Sequence, residues 1–375
     1  MLRNIAKFAA MKTSSQSTTL VGREFNEARE HLGGARSVTA TIPSWQTLPH
    51  EWAFGGMLLL LFIRLAWQAG HTGHYALLFL GYFLFGVSLS WWCSRNPTPL
   101  RWRVRLAAYF TLMGLVFYTL PAAVRLLQVP TADSLLQSID GQLLNLPAAD
   151  YFKSLQSPLL TDVMVVAYLF FVYYLRFGPG YYCFNDLHRF RQCITGLFSI
   201  YAVGLLSYSV MPAGGPHLAL HFAAPLPAGP VGRLMLPVID SSSNGVDVFP
   251  SIHAAVSAYL LGFDALYYRR RFRLLLLPCV LLWLSTIYLR YHYLIDLAAG
   301  FTLALAGLGV VWLYQRSRLA QAVEIEADRA IAPQAAAGRR RPPQAAAGRR
   351  RLKPRRRPPA AAGATPQAES GASTP

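Results

Sequence analysis

Long apolar runs separated by short polar segments are the feature that most limits how this chain can fold. Each run approaches the ~20 residues that an α-helix needs to cross the hydrocarbon core of a bilayer. Only 14% of the 375 residues are charged, against roughly 25% in a soluble domain. The sequence therefore predicts an all-α integral membrane protein with about eight transmembrane helices. The predicted spans are 52–70, 74–93, 105–127, 158–177, 193–212, 251–268, 272–290 and 293–315.

Most of the basic residues, which give a formal net charge of +18, lie outside these apolar runs. Ten of them fall in Arg339–Arg357. The motif PQAAAGRRR occurs twice in this region, at Pro333–Arg341 and at Pro343–Arg351. Because this composition has little to bury, residues 317–375 are expected to form a disordered Arg/Pro/Ala-rich cytoplasmic tail. No aromatic residue is interleaved with these arginines to stack on bases, so no specific nucleic-acid partner is expected. Residues 1–50 are expected to be a polar N-terminal extension.

The distribution of arginine between the loops predicts how the chain crosses the membrane. Alternate loops are basic, and the positive-inside rule places basic loops in the cytoplasm. Both termini are therefore predicted to be cytoplasmic, and the long loops 128–157 and 213–250 to lie outside. The composition of the tail favours a bacterial inner membrane, which makes the outer side periplasmic. The basic residues on the cytoplasmic side include Arg95, Arg101, Arg103, Arg105, Arg176, Arg189, Arg191, Arg269, Arg270, Arg271 and Arg273.

Three polar segments interrupt the apolar pattern, and the predicted topology places all three on the outer side. They are Met211–His217, Asp247–Ala255 and Tyr288–Asp296. Ionisable residues at membrane depth are costly, which makes function the default explanation for them. Their convergence on one face of the membrane predicts a site there.

The second and third segments contain groups suited to binding an anion. Pro250 is expected in the first turn of a helix, which would leave the backbone N–H groups of Ser251 and Ile252 free at its positive end. The Ser251 hydroxyl could donate a further hydrogen bond. Arg290 adds a planar fork of donors that matches a phosphoryl group. These residues predict a phosphate seat.

Two histidines and an aspartate in the same segments could perform nucleophilic chemistry. His292 and Asp296 are spaced i, i+4, so on a helix the carboxylate could take one imidazole proton and leave the other nitrogen free. Histidine is an accepted covalent nucleophile. His253 could protonate a departing alkoxide. The set predicts transfer through a phosphohistidine.

The pairing of PSxH at Pro250–His253 with HxxxD at His292–Asp296 resembles the type 2 phosphatidic acid phosphatase (PAP2) superfamily. FPSIHAA followed by YLRYHYLIDLAAG is similar to its inositol phosphorylceramide synthase-like branch. The resemblance, over roughly 190–312, implies a six-helix core within 104–316, preceded by two additional transmembrane helices in 51–103. It implies His292 as nucleophile, Asp296 as its orienting group and His253 as general acid, with no metal or other cofactor.

The chain departs from the phosphatase pattern at two places. Ser285 and Thr286 stand where the family has Ser-Arg, so the usual phosphate-binding arginine is absent and Arg290 is the expected substitute. The family's lysine and Arg-Pro motif is also missing, and Pro212, Gly215 and Pro216 resemble a Pro-rich counterpart. The predicted phosphate-binding residues are Arg290, Ser251, Pro250, Gly215 and Pro216.

The function expected from the sequence is a lipid phosphatase or phosphotransferase working at the outer membrane face. Its substrate would be a lipid phosphate or phospholipid, with an acceptor alcohol such as inositol in the transferase case. Two alternatives stay open. One is a non-catalytic lipid-binding or transport protein of the same fold. The other is an intramembrane metalloprotease with His253, His292 and Asp296 as ligands, which lacks the expected HExxH helix.

Overall fold

The computed structural model of the chain describes residues 46–70, 72–144, 152–222, 224–317 and 320. The predicted extension before residue 46 and nearly all of the predicted tail lie outside these ranges. Over the described ranges the chain forms α-helices, a short 3-10 helix at Lys153–Leu155 and no β-strand. The α-helices are α1 Pro49–Ala69, α2 His74–Arg95, α3 Pro99–Leu127, α4 Asp133–Leu144, α5 Pro158–Asn185, α6 Leu187–Val210, α7 Pro216–Ala219, α8 Pro230–Ser242, α9 Ile252–Tyr267, α10 Arg269–Tyr288 and α11 Leu294–Arg316.

Each of the eight predicted spans coincides with one of the long helices, and the prediction of an all-α membrane protein is confirmed. Six helices are long and apolar enough to cross a bilayer, namely α2, α3, α5, α6, α10 and α11. The helix α9 is apolar but has only 16 residues. Length and composition therefore support six of the eight predicted spans.

Prolines and small polar residues set the starts of several helices. Pro99 and Pro158 occupy the first turns of α3 and α5, where a missing N–H leaves no hydrogen bond unmade. Thr98 and Ser157 cap the same two helices, and their side chains accept backbone N–H groups. These local signals fix where the chain leaves each loop and enters the bundle.

The helix α6 lies at the centre of the bundle, and 78% of its 18-residue apolar stretch is buried. It packs against α1 and α3 as well as against α9 and α11. The helices α9 and α11 also pack closely on each other, and Gly300 of α11 allows this approach. A Cβ atom at Gly300 would lie 2.6 Å from the carbonyl oxygen of Ser251. This close contact brings the start of α9 to the start of α11.

Candidate active site

The turn between α10 and α11 places His292 at the end of the bundle where α9 and α11 begin, which the loop charges predict to be the outer end. The carbonyl of Thr286 accepts hydrogen bonds from the backbone N–H groups of Tyr291 (3.0 Å) and His292 (3.1 Å). Arg290 adopts a left-handed backbone conformation with φ of 67°, which makes this tight reversal possible. His292 therefore lies before α11, which begins at Leu294, and the expectation that His292 and Asp296 share one helix is wrong.

The pairing of His292 with Asp296 is nevertheless present. The Nδ1 atom of His292 lies 3.4 Å from Oδ2 of Asp296, and the two side chains are 3% and 0% exposed. The backbone N–H of Tyr293 donates to the same carboxylate oxygen at 2.8 Å and fixes its position. A carboxylate on this side favours the proton on Nδ1, which leaves the Nε2 lone pair of His292 for chemistry.

The helix α9 brings a second imidazole to that Nε2 atom. The Nδ1 atom of His253 lies 3.2 Å from Nε2 of His292. The His253 ring packs against Tyr168 and Phe171 of α5, with ring centroids 4.8 and 4.5 Å apart. Three side chains from separate segments therefore form a row, Asp296 to His292 to His253.

The start of α9 differs from the expectation at two residues. The helix begins at Ile252 with Ser251 as its N-cap, so Pro250 precedes the first turn instead of occupying it. The backbone N–H of Ser251 is not free, because it donates to the carbonyl of Asp296 at 3.1 Å. The Ser251 hydroxyl accepts the N–H of Ala254, and the residue is fully buried. Ser251 thus joins α9 to α11, whereas the carbonyl of Pro250 accepts the hydroxyl of Tyr208 from α6 at 3.2 Å.

Arg290 lies on the turn that carries His292, but its guanidinium contacts the outer loop. It stacks over the ring of Phe222, with 3.8 Å from its central carbon to the ring centroid, and donates to the Ala224 carbonyl at 3.3 Å. Its backbone carbonyl accepts the N–H of His217 at 2.8 Å. Arg290 is therefore anchored at the rim of the site, and its role as the phosphate ligand stays a prediction.

Gly215 and Pro216 lie where the first polar segment meets this turn. Gly215 has φ of 82°, and a Cβ atom there would lie 2.4 Å from the carbonyl oxygen of Tyr291, so the position requires glycine. Its N–H and that of Gly214 donate to the carboxylate of Asp133, at 2.9 and 3.0 Å. Pro216 begins α7 and is buried. The backbone N–H of Gly215, one of the predicted phosphate-binding residues, thus already binds a carboxylate of α4.

Burial sets the protonation of the groups outside the spanning helices. It lowers the pKa of His292 to about 3, although the backbone carbonyl of Val248 opposes this shift. Burial also lowers the pKa of His217, with Asp240 opposing it, and raises the pKa of Asp247 to about 6. Because His292 is neutral at physiological pH, its free nitrogen is available as a nucleophile.

Several residues at the site were not among those predicted from the sequence. His217 packs its ring on Tyr291, with centroids 4.8 Å apart. Asp140 of α4 accepts the backbone N–H groups of Leu294 (2.7 Å) and Ile295 (2.9 Å) at the start of α11. The signal for Asp140 was weak, because an acid in a long outer loop is ordinarily a solvated residue. The folded structure, in contrast, buries Asp140, whose side chain is 1% exposed.

An apolar cavity of about 510 Å³ lies beside the site, between the outer ends of α10 and α11. Trp283, Leu284 and Ile287 line it from α10, and Leu294, Leu297 and Phe301 line it from α11. Leu284 and Leu294 are exposed at its rim. Trp283 also donates its indole N–H to Ser257 of α9 at 2.7 Å, which connects the cavity wall to the helix that carries His253.

Among the residues that the structure describes, no group of three or more His, Cys, Asp or Glu side chains is arranged to hold a metal ion. The row of His253, His292 and Asp296 therefore does not have the arrangement that the metalloprotease alternative needs.

A family model described as the PAP2 superfamily matches residues 144–310. No curated protein and no solved structure shows a significant match to the chain. The PAP2-matching region contains α5 to α10, most of α11 and the whole row from Asp296 to His253, whereas α1, α2 and α3 precede it. The match supports a membrane phosphatase-type function for a multi-pass membrane protein. It does not extend to the inositol phosphorylceramide synthase-like branch that the two motifs resemble.

Proposed function

We propose that the protein is a membrane-embedded enzyme that cleaves or transfers a phosphoester of a lipid through a phosphohistidine on His292. The observation that carries this proposal is the row of Asp296, His292 and His253. The two contacts in the row are 3.4 and 3.2 Å long. One neighbour of the nucleophile is suited to orient it, and the other is suited to move a proton.

In the proposed first step, Nε2 of His292 attacks phosphorus and the bond from phosphorus to the leaving oxygen breaks. His253 enters this step as an imidazolium and gives its proton to that oxygen, which departs as an alcohol and leaves His253 neutral. Asp296 stabilises the charge that develops on the His292 ring. Because the phosphorus would occupy the space next to Nε2, the ring of His253 must turn aside from its 3.2 Å contact when substrate enters.

In the second step, water or an acceptor alcohol attacks the phosphohistidine, and the bond between nitrogen and phosphorus breaks. His253 removes the proton from the attacking oxygen and is ready for another cycle. Attack by water yields a phosphatase, and attack by an alcohol such as inositol yields the transferase that the resemblance suggests. Both outcomes use the same residues.

The proposed phosphate seat lies at the junction of α7, α9 and the α10–α11 turn. Arg290 is its proposed cation, reached by a small swing of the guanidinium away from Phe222. In this proposal Ser251 and Pro250, before the first turn of α9, shape its floor, and Gly215 and Pro216, at the start of α7, shape its wall. We place the seat on the outer, periplasmic side of a bacterial inner membrane, opposite the basic loops.

A lipid is the proposed substrate because of the apolar cavity between α10 and α11. A volume of about 510 Å³ lies within the range of ligand pockets, and its named lining carries only apolar side chains apart from the Trp283 indole N–H. A hydrocarbon chain in the cavity would lie two residues along the chain from His292, at Leu294. The phosphate of the same molecule would then reach the histidines.

Replacing His292 tests the proposal. Purified His292→Ala in detergent should turn over a radiolabelled phospholipid or lipid phosphate at least about 10⁴-fold more slowly than the unchanged protein, because the nucleophile is lost. The control is His74→Ala, which removes an exposed histidine at the start of α2. Label should form an acid-labile phosphohistidine only when His292 is present.

The same assay with and without inositol separates the two reaction types. Label in free phosphate indicates a phosphatase, and label in a new lipid indicates a transferase. Full turnover by His292→Ala would overturn the mechanism. A donor that binds to the unchanged protein but stays intact over long incubation would favour the lipid-binding alternative.

A further inference from the structure

His217 presents two polar atoms at the site that the protein itself does not satisfy. Both of its ring nitrogens are buried and lack a hydrogen-bond partner within the described part of the chain. Nδ1 of His292 and Oδ1 of Asp296 are also buried without a hydrogen bond there. Native proteins satisfy most buried polar atoms, so each exception requires a reason. Four such atoms on three residues of one candidate site indicate a place for a polar ligand.

Two contacts fix His217 beside the reacting group. Its backbone N–H donates to the carbonyl of Arg290, and its ring packs edge-on against Tyr291, the residue before His292. Tyr291 packs in turn on Tyr168, and Tyr168 packs on His253, with centroids 5.0 and 4.8 Å apart. The rings of His217 and His253 are therefore connected through the rings of Tyr291 and Tyr168, and the His253 ring in turn contacts the ring of His292.

The surrounding charges indicate which ligand the His217 ring would take. Asp240, Asp133 and the backbone carbonyl of Arg290 raise the pKa of the ring, and His292 lowers it. Neither carboxylate bonds the ring: Asp240 accepts the Tyr291 hydroxyl at 2.6 Å, and Asp133 accepts the amides of Gly214 and Gly215. A neutral imidazole has one N–H to give, and an anionic oxygen is its strongest acceptor.

We propose that His217 is a further substrate-binding residue, which donates a ring N–H to a nonbridging oxygen of the phosphoryl group that His292 attacks. This proposal rests on the proposed function, because it assigns a second ligand to the same phosphate. His217 approaches the phosphate from α7, whereas Arg290 approaches it from the α10–α11 turn. The phosphoryl group would then be held from two elements that the hydrogen bond between His217 and Arg290 keeps together.

Two variants of His217 separate binding from packing. His217→Phe keeps an aromatic ring against Tyr291 and removes both nitrogens. His217→Gln gives up the ring and restores an N–H donor. The control is His221→Phe, which changes an exposed histidine four residues further along the same loop.

We expect kcat/KM for a lipid phosphate to fall about 10- to 100-fold in His217→Phe, the range for a lost hydrogen bond to a charged group. Inhibition by inorganic phosphate should weaken by a similar factor. His217→Gln should recover part of both losses, and His221→Phe should match the unchanged protein. A purely structural role would lower the melting temperature in both His217 variants and leave inhibition by phosphate unchanged.

Phosphate binding also distinguishes failure of this proposal from failure of the proposed function. If the unchanged protein turns over no phosphoester, the proposed function fails, and calorimetric binding of inorganic phosphate to the unchanged protein and to His217→Phe still tests His217. If turnover is present and His217→Phe leaves both kcat/KM and phosphate inhibition unaltered, His217 is not a substrate ligand.

Discussion

Two buried aspartates at opposite ends of the bundle differ in how completely the protein satisfies their hydrogen bonds. Asp264, near the inner end of α9, is 1% exposed and accepts hydrogen bonds from the hydroxyls of Tyr174 and Tyr182. Arg271 lies 3.3 Å from it. Asp296, at the outer end of α11, is fully buried, yet its Oδ1 atom lacks a hydrogen bond among the described residues.

The contrast separates a carboxylate whose bonds hold helices together from one that is proposed to act on a neighbouring histidine. Low dielectric strengthens a satisfied polar network and makes an incomplete one costly. The contacts of Asp264 use both of its oxygens on protein groups. Asp296 uses one oxygen on Tyr293 and His292 and leaves the other unsatisfied. An incomplete buried network next to a histidine is therefore a better indicator of function than burial alone.

The largest expected effect is the loss of catalysis when Asp296 is replaced. Asp296→Asn should lower kcat by about 10³- to 10⁴-fold, because the amide no longer holds the His292 tautomer or stabilises its charge. The melting temperature should change little, because asparagine can still accept the Tyr293 N–H. Turnover of a labelled lipid phosphate and thermal unfolding, measured on one preparation, check both parts. Retained activity would show that Asp296 does not orient the nucleophile.

The inner aspartate should show the opposite behaviour. Asp264→Ala should destabilise the protein by about 3–5 kcal/mol, because it leaves Arg271 and two tyrosine hydroxyls without their buried acceptor. The activity of the fraction that stays folded should be close to that of the unchanged protein. Thermal unfolding in detergent, followed by an activity assay normalised to folded protein, measures the two effects. A variant with normal stability and no activity would invalidate the comparison.

The pH dependence of kcat/KM should show how strongly burial keeps His292 neutral. An imidazole with an ordinary pKa of 6.5 would lose about 100-fold in its neutral form by pH 4.5. With its pKa lowered to about 3, His292 should stay neutral and active through that range and lose activity only as the pH approaches 3. The measurement needs a phosphodiester donor, whose own charge does not change over these pH values.

Asp247 supplies the control for that profile. Burial raises its pKa to about 6, so it could add an acid limb unrelated to His292. The Asp247→Asn variant removes this titrating group, so its pH profile reports on His292 without it. If a loss of activity near pH 6.5 persists in that variant, the nucleophile titrates normally and burial does not keep His292 neutral.

Replacing Arg290 should lower activity less than replacing Asp296. Arg290→Gly relieves the left-handed backbone and removes the guanidinium, so it should raise KM or lower kcat/KM about 10-fold without loss of stability. Arg290→Lys keeps the charge but loses the planar fork, and should fall between Gly and Arg. Unaltered kinetics in both variants would assign the phosphate contact to another group.

The smallest expected effect on activity comes from narrowing the apolar cavity between α10 and α11. Leu284→Trp places bulk at the rim of the cavity and should lower kcat/KM for a long-chain substrate a few-fold while leaving a short-chain one unaffected. Leu277→Trp, on an exposed position of the same helix that does not line the cavity, is the matched control. Equal effects on both chain lengths would mean that the cavity does not bind the substrate's hydrocarbon.

Much of the fold could be predicted because lipid restricts the choice of structure to helices of a certain length. The convergence of His253, His292 and Asp296 was also predictable, from topology and two short motifs. What the sequence could not show was the local backbone. It did not reveal that Ser251 caps α9, that His292 precedes α11, or that Arg290 is left-handed. These depend on hydrogen bonds between segments that are distant in the chain.

The outer helix α4 has a consequence for any attempt to transplant the site. Its Asp133 binds the amides before Pro216, and its Asp140 binds the amides at the start of α11. Two motifs grafted onto another six-helix scaffold would arrive without these carboxylates. The amides that α4 occupies would then be open to stray anions, including the phosphate itself. The smallest portable version of the site is therefore larger than its motifs and must include a helix that contributes no reacting group.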